Sequence, residues 1–91
     1  MCIRDSALLV GRAQLPGLGP RKPGFLKLLC DASSNRVLGV HAVGARVSEA
    51  VLLGAVAVEA GLSRLDLAAW AFPEDSPAAA LVEAAARVEP A

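Results

Sequence analysis

Two apolar runs with a turn between them, followed by a change of period, organise the centre of the chain. Residues 25–30, FLKLLC, carry one charge, Lys27, and residues 37–43, VLGVHAV, form a second run rich in β-branched valine. The six residues between them, DASSNR, are nearly all turn formers, so the pattern predicts a β-hairpin with 24–30 antiparallel to 37–43. After Gly44, residues Val47, Ala50, Val51, Gly54, Ala55 and Val58 recur at helical spacing, and Leu52, Leu53 and Val56 make the remaining face apolar too. The prediction is a helix over 47–60 that needs cover on nearly every side. One small sheet cannot provide it all, so Val51, Ala55 and Val58 are expected to meet a second copy of the parent protein.

Downstream, Gly61 suits a left-handed helix stop, and Ser63 with Asp66 three residues on forms a capping box for a short helix over 64–70. Phe72-Pro73 breaks that helix. Ser76 then caps, and Pro77 fits the first helical position of a last helix over 78–88, with Glu83 and Arg87 paired at i, i+4. Upstream, residues 7–10 read as an edge strand. Residues 11–23 contain Gly11, Gly17 and Gly19 with Pro16, Pro20 and Pro23, and read as an extended connecting arm, neither helix nor central strand. Gly17-Leu18-Gly19 is not a dinucleotide-binding loop, because a strand follows it where that mechanism needs a helix amino terminus. The expected fold class is α+β: an antiparallel β-sheet, made of the hairpin plus an edge strand, covered by two or three helices.

Composition narrows the chemistry. Ninety-one residues with nine basic and nine acidic side chains make one small domain, with no charge excess to attract nucleic acid or an anionic membrane. The longest uncharged apolar helical stretch, 50–58, is about half of what a bilayer crossing needs, and the amino terminus lacks a basic-then-apolar signal. A cytoplasmic protein is the expectation. Cys2 and Cys30 are too few for a disulfide framework and have no zinc or redox spacing, so Cys30 reads as a small buried hydrophobe. His41 has apolar neighbours on both sides and reads as a structural histidine. Trp70, the single tryptophan, reads as closing the core.

The ordered pieces Gly24-Phe25-Leu26-Lys27-Leu28, Asn35-Arg36-Val37-Leu38-Gly39-Val40-His41-Ala42-Val43-Gly44, Ser48-Glu49 and Glu59-Ala60-Gly61-Leu62 follow one another without interruption. This run resembles the C-terminal dimerisation domain of the FAD-dependent pyridine nucleotide-disulfide oxidoreductases. The resemblance covers about 24–88 and divides the chain into a non-family start with its connecting arm, 1–23, and a dimerisation domain, 24–91. It implies a homodimer, and FAD- and NAD(P)-binding domains upstream. FAD and NAD(P)H would then be cofactors of the parent, with none bound by this stretch alone. Residues 1–6, MCIRDS, fit no element of that family and are left out of the expected fold.

In most of that family the break before the last helix reads H-P-T-x-S-E, and the resemblance implies that this His and Glu act as acid and base toward redox-active thiols of the partner subunit. Here the same places read Phe72-Pro73-Glu74-Asp75-Ser76-Pro77, and neither Phe72 nor Pro77 carries a proton. Phe72-Pro73 is similar instead to the mercuric reductase branch, where the residues read L-F-P-Y-L-T, although Glu74 stands in place of its tyrosine. Glu74 is then the candidate acid, or part of a solvated acidic loop ahead of a helix. The backbone of Phe72 and Pro73 is expected near the partner's flavin, with Phe72 also in the interface. A non-enzymatic interaction module using the same surface is the competing reading.

Overall fold

The computed structural model describes residues 7–15, 24–44, 47–73 and 76–91. They form β1 (Leu8–Leu15), β2 (Gly24–Asp31), β3 (Val37–Val43), α1 (Ser48–Glu59), α2 (Arg64–Ala68), α3 (Pro77–Ala86) and β4 (Val88–Pro90). The four strands make one antiparallel sheet in the order β3-β2-β1-β4, with the helices packed on one of its faces. The α+β class and the hairpin stand as the hydrophobic pattern predicts.

Alternation decides which side chains enter the core. In β2, Leu26, Leu28 and Cys30 are buried beneath the helices, while Phe25, Lys27 and Leu29 point to the opposite face. Pairing carries this pattern across the sheet: Phe25 lies opposite Val43 and Lys27 opposite His41. The register shifts at Leu29/Cys30, where Leu29 pairs with Gly39 and Cys30 with Val37, so Leu38 is the extra residue of a bulge.

Asp31 shapes the tight turn. Its Oδ2 accepts from the Ser34 amide and from the hydroxyls of Ser33 and Ser34, each at 2.8 Å. Asn35 takes the left-handed conformation at φ 63°, and its amide donates to the Asp31 carbonyl at 2.7 Å. The turn is also tied to the helices, because Arg64 Nε donates to Asn35 Oδ1 at 2.9 Å and the Val37 amide to the Leu62 carbonyl at 3.0 Å.

Several expectations need correction. Residues 11–15 are not part of a connecting arm: β1 continues to Leu15 and lies inside the sheet, between β2 and β4, so it is not an edge strand. The prolines that argued against a strand start at Pro16 and lie outside the described residues, as does Gly17-Leu18-Gly19. Gly11 is a packing glycine. A Cβ there would sit 1.9 Å from the Ala84 carbonyl oxygen, so its absence lets the α3 backbone approach the sheet.

The last helix ends at Ala86 rather than Val88. Arg87 leaves helical geometry at φ −118°, ψ 37°, and residues 88–90 become β4, with Gly11 opposite Val88 and Leu9 opposite Pro90. Pro90 is tolerated because β4 is an edge. Finally, His41 is not a core residue. It is exposed on the open face of the sheet, and its neighbours Val40 and Ala42 are the ones that turn toward the core.

The amino-terminal caps of α2 and α3 and the stop at Gly61 agree with their sequence signals. The Asp66 amide donates to Ser63 Oγ at 3.2 Å and the Ser63 amide to Asp66 Oδ2 at 2.9 Å, completing the capping box. The short helix ends at Ala68 instead of reaching Trp70. Ser76 Oγ accepts from the Ala79 amide at 3.2 Å with Pro77 at the start of α3, and Arg87 pairs with Glu83 at 3.1 Å. Gly61 has φ +69°.

Candidate functional site

The site is built on α1. The fully buried positions on its sheet-facing side are all small, Ala50, Gly54 and Ala57, with Leu53 partly buried beside them against the core. Positions i, i+4 and i+7 share one side of a helix, and a glycine among them lets β3 come close. A Cβ on Gly54 would lie 2.5 Å from Val40 Cγ2. With the small residues turned inward, the large ones turn out: Val51, Leu52, Val56 and Val58 remain 42, 65, 50 and 38% exposed. Ala55 is exposed with them, and Glu59 is the only acidic side chain in the second half of the helix.

Of the candidate interface residues, Val51, Ala55 and Val58 therefore form one exposed stripe, as their spacing implies. Leu52 and Val56, absent from that set, are the more exposed pair. The signal that finds them is the small-residue triplet, which marks the buried side and so gives the outward direction.

Phe72 is not part of the stripe. It is half-buried, in an open apolar depression with Leu53, Trp70 and Ala71. Leu53 is two residues from Val51, about 200° around the helix, so this depression flanks α1 on the side away from the Val51 stripe. Trp70 and Phe72 meet edge to face, with ring centroids 6.0 Å apart and planes at 83°, a favourable aromatic geometry. Trp70 also packs against the buried core, in keeping with the core-closing role. Pro73 is exposed, and its carbonyl accepts from the Ser76 amide at 3.0 Å and from the Ser76 hydroxyl at 2.8 Å. These bonds hold the break ahead of α3. Glu74 and Asp75 lie outside the described residues.

Proton-carrying chemistry is sparse here. Phe72 has no titratable group, and Pro77 is buried at the head of α3. Burial pushes the Cys30 thiol above its ordinary range, with the Arg64 guanidinium pulling weakly the other way, so Cys30 is held as an unreactive thiol. No group of three or more His, Cys, Asp or Glu able to hold a metal ion occurs among the described residues. No described helix is long and apolar enough to cross a membrane. What the geometry offers is an apolar helix face on a folded domain, and such a face is the usual form of an association surface.

The comparisons agree with that reading. Residues 10–85 match the pyridine nucleotide-disulphide oxidoreductase dimerisation domain. The chain belongs to this family. The dimerisation domain is also similar to "Dihydrolipoyl dehydrogenase 3" of Pseudomonas aeruginosa, 45% identical over 62 residues that make up 68% of this chain and 13% of that protein. Its likeness to "Dihydrolipoyl dehydrogenase 3" of Pseudomonas putida is 41% over 66 residues, 72% of the chain and 14% of the relative. "Dihydrolipoamide dehydrogenase" of Chaetomium thermophilum is 37% identical over 62 residues, 68% of the chain and 12% of the relative. The dimerisation domain thus spans between 12 and 14% of the length of these relatives.

Proposed function

We propose that this chain is the C-terminal homodimerisation part of an FAD- and NAD(P)H-dependent oxidoreductase in which the usual His/Glu acid–base pair is replaced by Phe72 and Pro77. The observation that carries the proposal is the outward apolar face of α1 on a domain of this family. FAD- and NAD(P)-binding domains upstream and a cytoplasmic location belong to the same reading. Within the family, Phe72-Pro73 favours the mercuric reductase-like branch, while the relatives above carry dihydrolipoyl and dihydrolipoamide names.

In this reading the chain itself binds no dinucleotide. The cofactors would be held by the upstream domains, where the flavin, once bound, supplies electron transfer from the nicotinamide nucleotide. This chain's part is to present the Phe72-Pro73 backbone at the edge of the partner's site and to exclude water there with the Trp70–Phe72 pair. Glu74, next to Asp75 in the same loop, would be the candidate to take or give a proton.

Hydride transfer to a flavin needs no side chain from this loop, whereas protonating a departing thiolate needs a positioned acid, whose loss costs about 10² to 10⁴ in rate. The test uses the complete reading frame around this chain, purified as a flavoprotein. Flavin reduction is followed by stopped flow, and turnover is measured with lipoamide, glutathione disulfide and mercuric ion, with and without Glu74→Gln. Rapid flavin reduction with poor disulfide turnover is expected. Fast disulfide turnover unaffected by Glu74→Gln would overturn the missing-dyad reading. A protein that purifies without flavin, or a frame without nucleotide-binding domains, would favour the interaction module.

A further inference from the structure

We propose that the association surface continues from α1 around the open edge of β3 onto Phe25 and Val43, and that a second copy of this chain seats on both parts. The inference rests on the homodimer reading and extends it to a sheet edge that the family resemblance did not single out.

Area is the first argument. The four large apolar side chains on the outer side of α1 present on the order of 300 Å², whereas a standard interface buries roughly 800 Å² on each partner. The helix face alone is too small, so a stable dimer has to use adjoining surface.

Continuity supplies the second argument. The Val51 flank of α1 leads directly into a notch lined by Phe25, Lys27, Val40, His41, Val43 and Val51. Val51 and Val40 belong to the helix side of the sheet and Phe25, His41 and Val43 to its open side, so the notch wraps the free edge of β3. Phe25 and Val43 face each other across the β2–β3 pair and are 51 and 59% exposed. An apolar pair this exposed, continuous with the helix stripe, extends one patch instead of forming a second. His41 and Lys27, paired side by side, then supply the polar rim that association surfaces usually have.

The edge itself is the third argument. Solitary sheets blunt their free edges with proline, with lysine on the edge strand or by covering them. The seven residues of β3, VLGVHAV, include neither proline nor lysine, the bulge at Leu38 touches only the start of the strand, and no described strand pairs with the outer side of residues 39–43. A second copy covers it in the assembly.

The complete flavoprotein that carries this chain is examined by sedimentation equilibrium as wild type and as Val43→Asp, Val51→Asp and Leu8→Asp, with circular dichroism to confirm folding. Leu8 is exposed and apolar but lies opposite Asp31, at the far end of the sheet from Phe25. A dimeric wild type is expected, with Val43→Asp and Val51→Asp each raising the dissociation constant roughly 30-fold and Leu8→Asp leaving it unchanged. Hydrogen exchange on the wild type needs no variant: amides of 38–43 should exchange more slowly at dimeric than at dilute concentration. A dimer that Val51→Asp weakens while Val43→Asp does not, with exchange in 38–43 independent of concentration, refutes the extension and leaves the homodimer standing. A monomeric wild type refutes both.

Discussion

Replacing Gly54 by alanine tests how α1 is held on the sheet. The new methyl would lie 2.5 Å from Val40 Cγ2 and 2.9 Å from Val40 Cβ, and the second of these atoms cannot move away by a rotamer change. Overpacking of this kind costs about 1–3 kcal/mol, while exchanging glycine for alanine inside a helix returns about 1 kcal/mol. A net loss of about 1 kcal/mol, within a range of about 0–2, is expected, or roughly 4–8 °C in Tm for a domain of this size. Val40→Ala removes Cγ2 and Cγ1 and opens a small void, at a cost of about 1–2 kcal/mol by itself. In the double variant the alanine at 54 occupies that void, so the two losses should fall short of their sum by about 1 kcal/mol. The assay is urea and thermal unfolding of the four proteins at one fixed concentration, since association would otherwise shift the midpoint. A Gly54→Ala variant more stable than wild type, or a strictly additive cycle, would show that α1 does not pack on β3 through this glycine.

Three further outcomes follow from the packing and the turn. Gly11→Ala drives a methyl into backbone, 1.9 Å from the Ala84 oxygen, and should cost about 3 kcal/mol, whereas Gly39→Ala, with nothing within 4 Å, should stay within about 0.5 kcal/mol in the same unfolding assay. Asn35→Ala loses both its tolerance of φ 63° and the bond from Arg64 Nε, about 2 kcal/mol together, while Asn35→Gly keeps the backbone freedom and should cost about half as much. Asp31 is held below its ordinary carboxylate range by hydrogen bonds from the Ser33 hydroxyl and from the Ser34 amide and hydroxyl. Its folded pKa is the lower one, so its contribution is present above the unfolded value of about 4 and is lost as pH falls through the folded value. As pH falls below about 4, Tm of the wild type should therefore fall toward that of Asp31→Asn, and curves that stay parallel down to acid pH would contradict this.

Much of the fold is legible because the period of the apolar residues changes where the structure changes. Residues 24–43 alternate, residues 47–58 follow a helical repeat, and the hairpin and α1 appear where those patterns stand. The first residues of β1 are read as a strand, but its continuation, GRAQL, escapes notice because it precedes the prolines from Pro16 onward, and Gly11 looks like a breaker until Ala84 is seen against it. Strand β4 is three residues long and ends in proline, so no local pattern identifies it. Only the antiparallel partner offered by β1 makes it a strand. At the site, spacing finds the Val51, Ala55 and Val58 stripe, but the greater exposure of Leu52 and Val56 depends on which side of α1 meets the sheet. That side is set by tertiary packing of Ala50, Gly54 and Ala57. His41 shows the same limit: alternation places it on one face or the other, and only the register with Lys27 shows that its face is the open one.

The most direct measurement is the mass in solution of the complete protein that carries this chain, with and without a charge on α1. Val51 is exposed, so Val51→Asp should fold with the wild-type circular dichroism spectrum, yet a buried unpaired carboxylate would oppose association. At about 5 μM, above a dissociation constant of about 1 μM for the wild type and below the roughly 30 μM expected for the variant, the wild type should sediment mainly as a dimer and Val51→Asp mainly as a folded monomer. A wild type that sediments as a folded monomer at that concentration, or a Val51→Asp dimer as tight as the wild type, would contradict the assignment of α1 as the association surface.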